Sequence, residues 1–279
     1  MPNTNKITAN EYQQFKSFLE ETCGILLGEG KQYLIVSRLA KLLRDEQVSD
    51  LGELLTHIRQ PGQQRLRDAV IDAMTTNETS WFRDQSPFNV LEQSIFPQIE
   101  EKQGQIGYRV WSAACSSGQE PYTISITLSE YLASAPQSKL RNMQVVATDI
   151  SESMLDEAKL AHYQDASLDR GLSETRKRSY FKKVADGWTV SDEIKWRVSF
   201  KPQNLLTSYA GLGKFDIIFC RNVLIYFSPE RKTDILKRMA AIMSPGGYLF
   251  LGASETTMGY SDDFDMVRSP AGVFFQLKS

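Results

Sequence analysis

Two short stretches hold the side chains best placed to do chemistry. The first is Ala113-Ala114-Cys115-Ser116-Ser117-Gly118-Gln119-Glu120, a run of small residues ending in an acid, directly after the apolar segment YRVWSA. The second is Asp149, which closes the apolar segment MQVVATD. Small residues allow a backbone to approach a ligand closely. An acid at the end of the second strand of an open α/β sheet accepts hydrogen bonds from the two hydroxyls of a ribose. GxGxxG is absent, so no glycine-rich turn cradles a dinucleotide pyrophosphate. GxxxxGK[ST] is absent too, which removes a P-loop nucleotide triphosphatase. A nucleoside without phosphates suits this combination, and S-adenosylmethionine is the first candidate. Two plainer readings stand beside it. Asp149 could cap a helix that starts near Ser151, and the small residues could serve only tight strand–helix packing.

Other chemistries are excluded by what is scarce. His57 and His162 are the only histidines and lie over a hundred residues apart, and no GxSxG elbow is present. Cys23, Cys115 and Cys220 are an odd number and widely scattered, with no CxxC spacing. That pattern argues against a disulfide framework or a metal cluster and suits a reducing, cytoplasmic setting. Lys plus Arg is 32 and Asp plus Glu is 34, a net charge of -2, which disfavours a non-specific nucleic-acid binder. No apolar run approaches the ~20 residues that cross a bilayer. The opening MPNTNKITANEYQQF lacks an apolar stretch, so no secretory signal is expected.

These residues need a scaffold, and the 279-residue chain divides into two patterns. Residues 1–75 read as helices: Tyr12, Phe15, Phe18 and Leu19 at helical spacing, then KQYLIVSRLAKLLR (31–44), LGELLTHIRQ, and a helix from Gln64 to about Met74. A linker over 76–90 follows. From residue 108 onward, strand-like runs alternate with amphipathic runs, including FDIIFC (215–220), SPERKTDILKRMAAIM and YLFLGAS. That alternation predicts a mostly parallel, doubly wound sheet over 91–279, covered by helices on both faces. The segment SESMLDEAKLAHY reads as one helix. A turn at Asp186-Gly187 between short β-prone runs predicts a small antiparallel insert at about 178–200.

Five segments then occur in order: TNETSWFR (76–83), WSAACSSGQEP (111–121), ATDIS (147–151), Gln203-Asn204-Leu205, and CRNVLIYF (220–227). Together they resemble the CheR family of chemotaxis receptor glutamate methyltransferases, and the resemblance covers nearly the whole chain. It implies a Rossmann-like S-adenosylmethionine-dependent methyltransferase domain behind a helical receptor-recognition domain. By motif, Asn77, Thr79 and Arg83 would meet the methionine end and the approach to the methyl group. Glu120 would hold the methionine ammonium, Asp149 the ribose hydroxyls and Ile150 the adenine. Asn204 and Leu205 would lie on the adenine side, and Asn222 and Val223 on the pocket floor. Gln119 departs from the family pattern, where many relatives carry a second acid, and Ala253 stands where relatives often carry His.

The implied reaction is an in-line displacement in which a receptor glutamate takes the sulfonium methyl and S-adenosylhomocysteine leaves. An exposed glutamate is already ionised at neutral pH, with a reference pKa of ~4.3, so no general base is needed. Arg83 and Tyr226 are the candidates to position that carboxylate. Lys31, Arg38, Lys41 and Arg44 fall on one arc of the 31–44 helix, opposite Ile35, Val36, Leu39, Leu42 and Leu43. This predicts a basic stripe for glutamate-rich receptor helices. The implied partners are chemoreceptor cytoplasmic helices, with a regulatory protein left open and no nucleic acid, metal or membrane insertion. The enzyme is expected to act as a monomer. Some members of the family it resembles dock this insert on a receptor tail peptide; the 181–200 segment is short beside theirs, which implies an enzyme that needs no such peptide.

Overall fold

The computed structural model describes residues 7–101 and 107–278. Four helices form the N-terminal domain: α1 (Ala9–Cys23), α2 (Gln32–Asp45), α3 (Leu51–Arg59) and α4 (Gln64–Met74). Local rules explain their ends. Thr8 and Glu11 form a reciprocal capping box at the start of α1, and Gly24 at φ 79° ends it. Asp50 caps α3 through the Glu53 N–H at 2.9 Å. Each helix turns one apolar stripe inward, and Phe15, Leu19, Leu39, Leu54 and Val70 are fully buried together. Helix α2 is shifted by one residue from the expected 31–44. Lys31 sits at its N-cap and Asp45 is inside it.

The chain then enters α5 (Ser86–Val90), runs through a π-helical turn over Leu91–Ile95 and continues as α6 (Phe96–Glu101). This apolar segment packs in the main core through Phe88, Leu91, Ile95 and Phe96. Sequence periodicity assigned it no element, because it is apolar on several sides and gives no single stripe.

The α/β domain follows in the order β1 (Arg109–Ala113), α7 (Gln119–Ser134), β2 (Gln144–Asp149), α8 (Glu152–Leu160), β3 (His162–Tyr163), α9 (Asp165–Leu168), α10 (Glu174–Tyr180), β4 (Phe181–Val184), β5 (Gly187–Val190), α11 (Asp192–Lys195), β6 (Val198–Pro202), β7 (Phe215–Cys220), α12 (Pro229–Ala241), β8 (Met243–Leu251), β9 (Phe264–Ser269) and β10 (Gly272–Leu277). Seven strands form one sheet, ordered β6-β2-β1-β7-β8-β10-β9, with β10 antiparallel to both neighbours. The chain winds outward from β1 to β6, then returns to β7. The strand order therefore reverses between β1 and β7, and ligands bind in the crevice at such a point. Every residue of β7 is buried, as expected for a strand covered on both faces.

Two expectations need correction. The helix expected over 151–163 stops at Ala161, which adopts φ 52°. His162 and Tyr163 instead pair with Thr189 and Trp188, so β3, β5 and β4 make a three-stranded sheet. The insert expected at about 178–200 therefore begins upstream. Its last residues belong elsewhere, since Val198–Pro202 pairs in parallel with β2 as the edge of the main sheet. Phe200 is drawn there by packing, with its ring 5.6 Å from that of Tyr122 on α7.

Candidate active site

A cavity of about 260 Å³ opens where the helical domain meets the carboxyl ends of β1, β2 and β7. That size lies just below the ~300–1,000 Å³ typical of small-molecule sites. The helical domain supplies the loop after α1 together with Lys31, Leu34 and Arg38. The linker supplies Asn77, Thr79 and Arg83, and the sheet domain supplies Glu120, Asp149, Ile150, Asn204, Leu205, Asn222, Val223 and Tyr226. Residues separated by more than a hundred positions thus share one wall. Lys41 and Arg44 do not line this cavity; both are exposed further along α2.

Asp149 is 6% exposed at the end of β2. Its Oδ2 accepts the Ser116 N–H at 2.7 Å and its Oδ1 accepts the Ser151 N–H at 3.0 Å. Each oxygen keeps a lone pair, which is what two ribose hydroxyls would need. Burial raises the Asp149 carboxyl above the ordinary aspartate range, while the backbone N–H groups oppose that rise. The capping reading fails, because Ser151 itself caps α8 by accepting the Met154 N–H. Ala114 and Ser116 sit at φ 58° and 50°, an arrangement uncommon outside glycine that brings the loop backbone against the acid. The packing reading holds for Gly118, where a Cβ would lie 2.9 Å from the Ala158 Cβ.

Arg221, to which the sequence reading assigned no role, organises the other half of the site. Its side chain is 2% exposed. It donates to Glu120 at 2.9 Å, to Asp84 at 2.7 Å and to the Arg83 carbonyl at 2.8 Å. The Glu120 carboxylate also accepts the Ser112 hydroxyl at 2.7 Å. One arginine thereby ties the linker to β1 and α7. Arg83 itself uses one N–H on the Glu78 carbonyl at 2.8 Å. It makes no ion pair with Glu78 or Asp84 among the described residues.

Glu255 is a second residue that sequence reasoning missed. Its Oε2 accepts the N–H of Asn222 and of Gly252, both at 2.7 Å. Its Oε1 accepts Val223 at 2.9 Å and Ile225 at 3.2 Å. Four backbone donors on one carboxylate hold the segment that presents Tyr226, with Asn222 at φ 58°. Tyr226 is half-buried on the cavity wall, and its hydroxyl has no partner among the described residues. The only sequence signal was Glu255 lying just after a strand end, which is not specific.

The basic stripe is corrected at Arg38. Its guanidinium donates to the carbonyls of Met74 at 2.5 Å and Thr75 at 3.0 Å, and to Thr76 Oγ1 at 2.9 Å. A cation at a helix C-terminus satisfies orphan carbonyls and opposes the helix dipole. Arg38 therefore fastens α4 and the linker rather than offering charge to a partner. The domains are also joined by Asn204, whose amide donates to the Thr22 carbonyl at 2.7 Å, and by Leu26, whose N–H meets the Tyr226 carbonyl at 2.9 Å. Asp72 accepts hydrogen bonds from Ser151 and Ser153, and Ile150 packs on the helical core. Asn204 thus contributes its position on the wall, while its amide is spent on that joint. A buried acid with spare lone pairs, apolar walls at Leu205 and Val223 and a carboxylate at Glu120 fit an adenosyl group that ends in an ammonium.

Comparison with known proteins shows the family of both parts of the chain. A family model described as the CheR methyltransferase SAM binding domain matches residues 77–273, and one described as the CheR methyltransferase all-alpha domain matches residues 10–75. The chain is 50% identical over 270 residues to chemotaxis protein methyltransferase Cher2 of Pseudomonas putida, covering 96% of this chain and 98% of that protein. It is 49% identical to chemotaxis protein methyltransferase 1 of Pseudomonas aeruginosa (96% and 98% covered) and to the Vibrio cholerae protein of the same description (98% of each).

Proposed function

The chain belongs to the CheR methyltransferase family, and from that premise we propose that its cleft carries out glutamate methylation on chemoreceptor cytoplasmic helices. It is an S-adenosylmethionine-dependent chemotaxis methyltransferase. The observation that carries the finer reading is the convergence of Asp149, Glu120, Arg83 and Tyr226 on one cavity.

Bound here, S-adenosylmethionine would supply an electrophilic methyl group on sulfonium, with S-adenosylhomocysteine as the product left behind. The chain's own residues bind and align. Asp149 takes the ribose hydroxyls, with Ile150, Asn204 and Leu205 along the adenine. Glu120 takes the ammonium, and Asn77 and Thr79 border the methionine end. Asn222 and Val223 form the floor. Arg83 and Tyr226 position the incoming glutamate carboxylate by hydrogen bonds. Transfer neutralises a carboxylate and a sulfonium together, so alignment and exclusion of water carry the rate. Well-oriented reactants gain on the order of 7–11 kcal/mol. A clamp that bound the carboxylate too firmly would hold back the reaction, and Arg83 keeps part of its donor set on Glu78.

The enzyme works as a monomer in the cytoplasm, without metal or nucleic acid and without a receptor tail peptide. Lys31, Lys41 and Arg44 attract the acidic receptor helix. Receptor-bearing membranes and a methyl-tritiated donor test this reading. Label should enter the receptor, leave it on mild base treatment as esters do, and enter tail-truncated receptors equally well. Arg83→Ala should lower turnover by about a hundredfold, as loss of a charge-positioning donor does, with Tyr226→Phe losing less. Base-stable label, or an Arg83→Ala rate near wild type, overturns it.

A further inference from the structure

We propose that the mouth of this cleft is an apolar collar, built by both domains, that seats the substrate helix around its reacting glutamate. This inference rests on the methyl-transfer reading above. Few large apolar side chains are strongly exposed on the described surface, and several of them gather here. Leu26 is 43% exposed, lines the cavity and bonds through its N–H to the Tyr226 carbonyl. Ile225 is 47% exposed beside Tyr226, with its N–H on Glu255. Tyr33 is 58% exposed and its ring is 5.7 Å from the Nζ of Lys31, which lines the cavity.

Exposed apolar residues grouped around a polar centre mark an interaction surface. The charge of the occupant follows from the rest of the collar. Lys31 is exposed and has no acidic partner among the described residues, and the Tyr226 hydroxyl is likewise unpartnered. A helix that carries glutamate between apolar neighbours fits both features, with the acid at the centre and the apolar side chains against the collar. Closing such a ring excludes water from around the carboxylate. A desolvated carboxylate is the stronger nucleophile toward a cation, so docking and reactivity share one surface.

The test uses full-length protein with Ile225→Ser, Tyr33→Ala and their double variant. None of these side chains touches the proposed cofactor pocket. Leu160→Ser, 73% exposed at the end of α8, is the control. Each collar variant should raise the KM for receptor membranes about fivefold, as expected on truncating an interface contact. The double variant should exceed either single. Heat of S-adenosylhomocysteine binding should stay at the wild-type value, and kcat at saturating receptor should fall in the double variant. An unchanged receptor KM in the double variant overturns the collar, as does an equal rise in Leu160→Ser. Failure of the wild-type protein to bind S-adenosylhomocysteine would instead overturn the reading of the cleft itself, so the two failures are distinct.

Discussion

The helical domain and the walls of the cleft are assembled by different means. In the helical domain each element is explained by its own neighbours: a capping box at Thr8 and Glu11, a left-handed glycine at position 24, and one apolar stripe per helix. Among its described non-glycine residues only Gln47 departs to positive φ. Around the cleft the backbone is irregular. Phe82, Asp84, Gln85, Ala114, Ser116 and Asn222 all adopt positive φ, and partners from far along the chain hold Phe82, Asp84, Ser116 and Asn222. Arg221 reaches back to Asp84, and Glu255 holds Asn222 to Ile225. The difference teaches that local propensity suffices to build a recognition module. A site that must aim several groups at one point instead keeps strained conformations in place by distant buried charges.

The largest effects should separate the two modes. Arg221→Ala leaves Glu120 and Asp84 without their cation, and breaking a buried pair costs about 3–5 kcal/mol. Both the unfolding midpoint and S-adenosylhomocysteine affinity should fall. Leu39→Ala, a cavity in the helical core, should cost about 2–5 kcal/mol of stability while affinity well below the midpoint is retained. If the two variants lose stability and affinity in the same proportion, the contrast between regions collapses.

Glu255→Gln should have a smaller effect. It turns an amide NH₂ toward backbone N–H donors, a loss of about 1–3 kcal/mol. Because the strained segment carries Tyr226, kcat should drop more than cofactor affinity does. A variant with lowered stability and untouched kcat would reduce Glu255 to a purely structural role.

The mildest test uses pH. Burial raises the Asp149 carboxyl above the usual ~3.9 of aspartate. The ionised form accepts the ribose hydroxyls, so affinity is full above the raised value and falls as pH drops through it. The decline should therefore begin at higher pH than for an ordinary aspartate. Asp149→Asn should bind weakly with no such pH dependence, measured by calorimetry.

Much of this was legible in the sequence, for identifiable reasons. The four N-terminal helices and the buried strand FDIIFC follow from periodicity, and Asp149 from its place after the second apolar run. Arg38 misled because helical spacing shows which side a residue faces and not what waits there; the end of α4 lies over it. Arg221 and Glu255 gave no local pattern, since their partners lie up to 138 positions away. The strand His162–Tyr163 was hidden because two residues pairing with a distant hairpin carry no period of their own.

The three cysteines have a practical consequence. All are buried, and burial raises their thiols, Cys23 to about 11 and Cys115 and Cys220 well beyond the free value. The anion is the species that electrophiles and oxidants attack. The folded enzyme is thus chemically quiet toward both, and alkylation registers only moments of opening. Since Cys23 belongs to the helical bundle and the other two to the α/β domain, the rate at which each is tagged times the unlocking of its own half of the molecule.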